Sequence, residues 1–292
     1  MQSIYTKESW AMPVPDPAKT REVLLKRIQR LLRIDRGPGD HSELTLKIVP
    51  FLSSLGSVAL IGGAIRDVAR AGKQGFSSDL DFVVYDGDRD NFAAQMDRHH
   101  GIKNKFGGYG LHGFRWKVDV WHLEDTWAKT AGLVEVRAPI DLLRCTFFDW
   151  DSAIYEIGNR KLVLPEDYLE RLRSNVMDIR LEENPNPRGS LVRALRRAAR
   201  WKVRFGPKLT AFSRKYLREI PWEDLTSLDA RAFFDPVLKY LDRSKLLEQL
   251  DTPTNSSVGE VTLPVPEWAS QMNLPLGDEP TSLSPQMETN GG

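Results

Sequence analysis

The stretch SSDLDFVVYD, residues 77–86, sets Asp79 and Asp81 at the front of an apolar run with the length and composition of a strand. Side chains two apart on a strand leave the same face, so the two carboxylates stand side by side. Like charges held that close are unfavourable unless something positive sits between them. A short way upstream, SVALI (residues 57–61) reads as a buried strand, Gly62-Gly63 as a tight turn, and AIRDVARAG (residues 64–72) as a helix stopped by glycine. Downstream, RDNFAAQMDRHHG (residues 89–101) reads as a helix. FRWKVDVWHL (residues 114–123) alternates, with Phe114, Trp116, Val118 and Val120 on one face and Arg115, Lys117 and Asp119 on the other.

Two carboxylates on one strand face, joined by a third from a neighbouring strand, make a hard oxygen site suited to Mg²⁺. Asp119 is the expected third carboxylate, with Asp86 and Glu124 next in line. Two such ions about 3.5–4 Å apart activate a hydroxyl and stabilise a leaving oxygen in phosphoryl transfer. A solvated acidic pair at a strand edge is the alternative. The strand, Gly-Gly and helix sequence offers free N–H groups and a helix dipole to phosphate, with Arg66 one turn in. A plain turn is the alternative there.

Taken together, GGAIRD (residues 62–67) and SDLDFVV (residues 78–84) resemble the head-domain signature of the class II tRNA nucleotidyltransferase and poly(A) polymerase family, within the polymerase-β-like nucleotidyltransferases. The resemblance implies that Gly62, Gly63 and Arg66 hold NTP phosphates, that Asp79 and Asp81 bind Mg²⁺, and that Asp67 is structural. LVRALRRAARWKVRFG (residues 191–206) resembles the arginine-rich neck helix of that family, so the likeness spans residues 58–206.

Two segments depart from the family pattern. NPNPRGS (residues 184–190) lacks the acidic pair that reads the incoming base, and Glu182 and Glu183 lie slightly early. In PIDLLRCTFF (residues 139–148) only Asp141 matches. The sequence also stops short of the long body and tail with which CCA-adding enzymes grip tRNA. Ordered addition of C, C and A is therefore not expected. One preferred nucleotide, or a weak preference among several, added repeatedly is expected, with Arg193 or Arg196 offering donors to a single base.

The rest of the chain supplies context. Arg21 to Ile34 has helical periodicity, a further helix begins near His41 or Ser42, and from Pro165 onward the pattern is helical. Arg193, Arg197, Arg200 and Arg204 recur as a basic stripe opposite Leu191, Leu195, Ala198 and Phe205. That stripe is either a phosphate site or a solvated face. GYGLHG (residues 108–113) matches G-x-G-x-x-G but leads into a strand, which excludes a dinucleotide-binding turn. The five histidines lack metal-ligand spacing, and Cys145 reads as a core thiol. A net charge of +1, one cysteine and no apolar leader fit a soluble cytoplasmic protein.

The expected fold is α+β: a small nucleotidyltransferase sheet with flanking helices, then an all-helical neck. The expected boundaries are a loosely ordered segment 1–20, a head 21–158, a neck 159–250 and a disordered tail 251–292. The expected function is Mg²⁺-dependent, template-independent transfer of NMP from an NTP to an RNA 3′ hydroxyl, releasing pyrophosphate. Synthesis of free oligonucleotides as a signal in bacterial defence, and an inactive RNA-binding adaptor, are the alternatives.

Overall fold

The computed structural model describes residues 16–32, 47–72, 75–104, 106–112, 117–252 and 259–267. Its strands are β1 (Ser57–Ile61), β2 (Leu80–Tyr85), β3 (Ile102–Lys103), β4 (Tyr109–Leu111), β5 (Val118–His122), β6 (Ile154–Glu156), β7 (Lys161–Val163), β8 (Val176–Met177) and β9 (Arg204–Phe205). Its helices are α1 (Arg21–Leu32), α2 (Val49–Ser53), α3 (Gly63–Ala71), α4 (Arg89–Arg98), α5 (Trp127–Thr130), α6 (Tyr168–Ser174), α7 (Pro187–Trp201), α8 (Pro207–Glu219), α9 (Trp222–Ala232) and α10 (Arg243–Asp251).

The α+β expectation holds. Among the described residues, seven strands form one sheet in the order β3-β4-β5-β2-β1-β6-β7. β1 and β2 are antiparallel, whereas β2 and β5 run parallel. The C-terminal end of β1 therefore adjoins the N-terminal ends of β2 and β5. This single topological fact places Gly62 beside the D-x-D carboxylates.

Both faces of the sheet are covered, unequally. Leu60, Phe82, Val84, Val118 and Val120 join the large core under α1, α3 and α4. Ala59, Ile61, Val83 and Tyr85 join a smaller cluster on the opposite face, against Leu123, Val136 and Leu142. By strand alternation Asp79, Asp81 and Asp119 belong to this less covered face, at the strand ends where the apolar cover stops.

Several boundaries differ from expectation. The sheet extends through β7, past the expected end of the head at 158, because Ile154 and Tyr155 pair with Val163 and Leu162. The helical half contains a parallel two-stranded pair, β8 with β9. Of the stretch expected to be a disordered tail, residues 259–267 dock instead. Val261 pairs with Phe205, and Val261 and Leu263 are buried in the main core. Their apolar side chains, spaced two apart, match an extended segment laid on a core, a pattern a search for helical periodicity passes over. The starts of the strand expected at 114 and of the helix expected near 41 lie outside the described residues. Among the described residues no helix is long and apolar enough to cross a membrane.

Candidate active site

The Gly-Gly turn has a physical reason for each residue. Gly62 adopts φ 78°, in the region that side chains with a Cβ avoid. A Cβ on Gly63 would meet Ser78 Oγ at 2.9 Å. The Gly62 N–H donates to the Ala153 carbonyl at 3.1 Å, which ties the turn to the start of β6. Helix α3 begins at Gly63, so its first N–H groups have no intrahelical acceptor and point out of the helix end.

Asp81 and Asp119 are register partners across β2 and β5, and Asp79 immediately precedes β2. The Lys117 Nζ donates to Asp79 Oδ2 at 2.6 Å and to Asp119 Oδ2 at 2.9 Å. An ammonium therefore stands between two of the carboxylates. Burial, then the neighbouring Asp119 and Asp79, push the Asp81 carboxyl up to about 7, with Lys117 opposing. Burial alone would lower the Lys117 ammonium, but its bonds to Asp79 and Asp119 win and raise it.

As arranged, no three of the described histidine, cysteine and acidic side chains converge on a common point that would hold a metal ion. The residues nonetheless fit a divalent cation. Three carboxylates share one sheet face, and two of them already grip a positive charge through single oxygens.

Arg66 differs from expectation: its guanidinium turns inward. Nε and Nη2 donate to Asp67 Oδ1 at 2.9 and 2.7 Å, Nη2 to Ser78 Oγ at 2.6 Å, and Nη1 to Asp151 Oδ1 at 2.5 Å. It is stacked over Trp201 as well. Asp67 Oδ2 accepts from the Ser77 N–H and the Ser78 hydroxyl. Together Arg66 and Asp67 thus shape the loop that delivers Asp79.

Sequence reasoning missed Asp151. Its two oxygens receive Arg66 and Arg197, linking α3 to α7 through the turn before β6. Burial would raise its carboxyl, yet Arg197, Arg66 and Arg193 hold it below the usual carboxylate range. The only sequence signal was the pair of acids in Asp149-Trp150-Asp151. Asp141, the residue that matched the family pattern, instead caps its own turn, accepting from the Arg137 and Ala138 N–H groups.

The arginines of α7 also sort differently. Arg197 is buried against Asp151 and Phe148, Arg200 pairs with Asp235, and Arg204 pairs with Glu260. Of the expected stripe, Arg197 and Arg200 are thus internal, because α7 runs through the core with buried residues on most of its circumference, while Arg204 lies beyond α7 on β9 and is partly exposed. Arg196, expected to face a base, donates to Asp229 Oδ1 at 2.6 Å and Asp235 Oδ1 at 2.7 Å, under the ring of Phe233. Arg193 is the exposed member.

Arg193 also lines a cleft of about 220 Å³ with Phe106, Trp127, Phe147, Asn184 and Asn186. Asn184 Oδ1 accepts from the Asn186 N–H, while its buried Nδ2 has no hydrogen-bond partner. The cleft thus combines aromatic walls and a cation.

No protein-family model and no curated protein matches the chain. Solved structures do. A Thermotoga maritima CCA-adding enzyme complexed with tRNA is similar at 19% identity and TM-score 0.48, covering 77% of this chain and 54% of that one. A tRNA nucleotidyltransferase complexed with a primer tRNA and an ATP analogue is similar at 20% identity and TM-score 0.44, covering 69% and 61%. A tRNA-processing enzyme complex is similar at 22% identity and TM-score 0.43, covering 63% and 51%. The chain spans about half to three-fifths of the length of these proteins.

Proposed function

We propose that the chain is a nucleotidyltransferase that moves NMP from an NTP to an RNA 3′ hydroxyl. The reading is supported above all by one juxtaposition: Asp79, Asp81 and Asp119 on one sheet face, beside a glycine-started helix whose first N–H groups have no intrahelical acceptor. Carboxylates alone suit many cations, and a helix start alone suits many anions. A cation site and an anion site set side by side suit a metal-bound triphosphate.

Asp79, Asp81 and Asp119 would hold Mg²⁺, which supplies neutralisation of phosphate charge and acidification of the attacking hydroxyl. The acceptor oxygen bonds to the α-phosphorus as the bond from that phosphorus to the bridging oxygen breaks, and the electron pair leaves with pyrophosphate. Asp119 orients the hydroxyl and takes its proton. The N–H groups at the start of α3 hold phosphate oxygens, with Gly62 and Gly63 keeping that approach open. Arg66 acts through Asp67 and Ser78, by fixing the loop before Asp79. Arg193 and the aromatic cleft bind the base, Arg193 as the exposed donor and the rings by stacking. The head and neck are one working unit, because Asp151 joins α3 to α7.

The test is incubation with each labelled NTP, Mg²⁺ and an RNA bearing a free 3′ hydroxyl. Extended RNA with stoichiometric pyrophosphate is expected, most strongly from one NTP. Sequenced ends should carry repeats of that nucleotide. No extension with any NTP overturns the reading, and ordered C-C-A addition followed by arrest overturns the single-nucleotide part of it.

A further inference from the structure

We infer that Lys117 is a built-in competitor for the metal site, making metal binding conditional on the nucleotide. This rests on the metal-site part of the proposed function. Lys117 and Asp119 lie two apart, so their side chains leave the same face of the sheet. The ammonium takes Asp79 Oδ2 and Asp119 Oδ2 at 2.6 and 2.9 Å, the oxygens a divalent cation needs first. Both cations cannot hold them together, because they are too close and of like charge.

The lysine is placed to leave. Its backbone is pinned, since its carbonyl accepts the Leu80 N–H at 2.9 Å. Its side chain is 62% exposed, so rotation about the flexible stem suffices and no strand has to move. In the bridging state Lys117 relieves the repulsion between Asp79 and Asp119 and holds those two carboxylates on the shared face.

Displacement has unequal consequences for free metal and for metal with nucleotide. A bare divalent cation breaks two ion pairs and leaves the ammonium in water. A metal-bound triphosphate brings several negative charges to the same spot, and the released ammonium pairs with them. Apparent affinity for free metal is reduced by the fraction of molecules in which the lysine occupies the site. Affinity for the metal–nucleotide complex is reduced less or is raised. Lys117 therefore couples the two bindings, and the coupling is reciprocal. Asp81 makes no hydrogen bond to Lys117.

The experiment is titration of the full chain with Mn²⁺, followed by electron paramagnetic resonance or calorimetry. It is run with and without a nucleoside triphosphate analogue that carries a methylene between its α- and β-phosphorus. The proteins are wild type, Lys117→Met and Lys117→Arg. Lys117→Met is expected to bind free Mn²⁺ about tenfold more tightly than wild type. It should also lose most of the improvement that the analogue confers on Mn²⁺ affinity. Lys117→Arg keeps the charge and is expected to stay close to wild type. In EDTA, Lys117→Met should melt earlier, because the carboxylates then face one another unshielded. Equal Mn²⁺ affinity in wild type and Lys117→Met overturns the competitor role while leaving the metal site standing. Absence of Mn²⁺ binding at millimolar concentration in all three proteins overturns the metal site and this inference with it.

Discussion

Asp81 and Asp119 are register partners on neighbouring parallel strands, so their carboxylates leave the same face of the sheet one strand spacing apart, about 4.8 Å. Only the strand order β5-β2-β1 produces this, because the two residues are far apart in sequence. Replacing either by Asn keeps the shape and removes a charged ligand. Each substitution should lower nucleotidyl transfer by at least about 100-fold, beyond the usual cost of losing a supporting contact to a metal ligand. Circular dichroism should show an unchanged fold. Activity near wild type for Asp119→Asn would move the third ligand elsewhere.

The pH dependence of the metal-free protein follows from Asp81. Its folded value of about 7 lies above the usual carboxylate range, with burial the largest cause. Between its ordinary value and 7 the native state therefore binds more protons than the unfolded chain. Stability falls as pH rises through that window, opposite in sign to a salt-bridged carboxylate. In EDTA the melting temperature should drop from about pH 4 to about pH 7, and Asp81→Asn should flatten that part of the profile. An unaltered profile in the variant would show that another group is responsible.

Arg193 and Arg196 should separate cleanly. Arg196 is enclosed by Asp229, Asp235 and Phe233, and Asp229 is itself fully buried. Arg196→Ala leaves the buried Asp229 without its cation and Asp235 with Arg200 alone, and should cost about 3–5 kcal/mol of stability. Arg193 is exposed at the cleft, so Arg193→Ala should barely move the melting temperature. It should raise the KM for NTP roughly tenfold, the worth of one charge-assisted hydrogen bond. A stable Arg196→Ala with raised KM would reverse the two assignments.

Truncation after Leu250 should destabilise the protein. The removed segment includes Val261 and Leu263, both buried, and Glu260, which pairs with Arg204. Leu263→Ala alone should cost about 2–5 kcal/mol, as for other buried leucines. Chemical denaturation measures both. A truncated chain as stable as the full one would mean that 259–267 contributes nothing by docking.

Local chemistry makes much of this protein legible in its sequence alone. The Gly62-Gly63 turn, the strands on either side of it and the D-x-D pair are decided by backbone freedom, β propensity and side-chain alternation, all of which act over a few residues. Asp67 is readable as structural because an acid beside phosphates needs another partner. Long-range pairing is not legible. α7 has the composition of a basic surface helix, yet Asp151, Asp229 and Asp235 meet its arginines in the core. A guanidinium looks the same in sequence whether its partner is a phosphate, water or a buried carboxylate. Only the fold settles which acid arrives. The same holds for Lys117, whose alternation places it on the polar face with Asp119. That its ammonium stands between two carboxylates depends on β2 and β5 lying side by side, because charge interactions are decided by distance in space and not by separation along the chain.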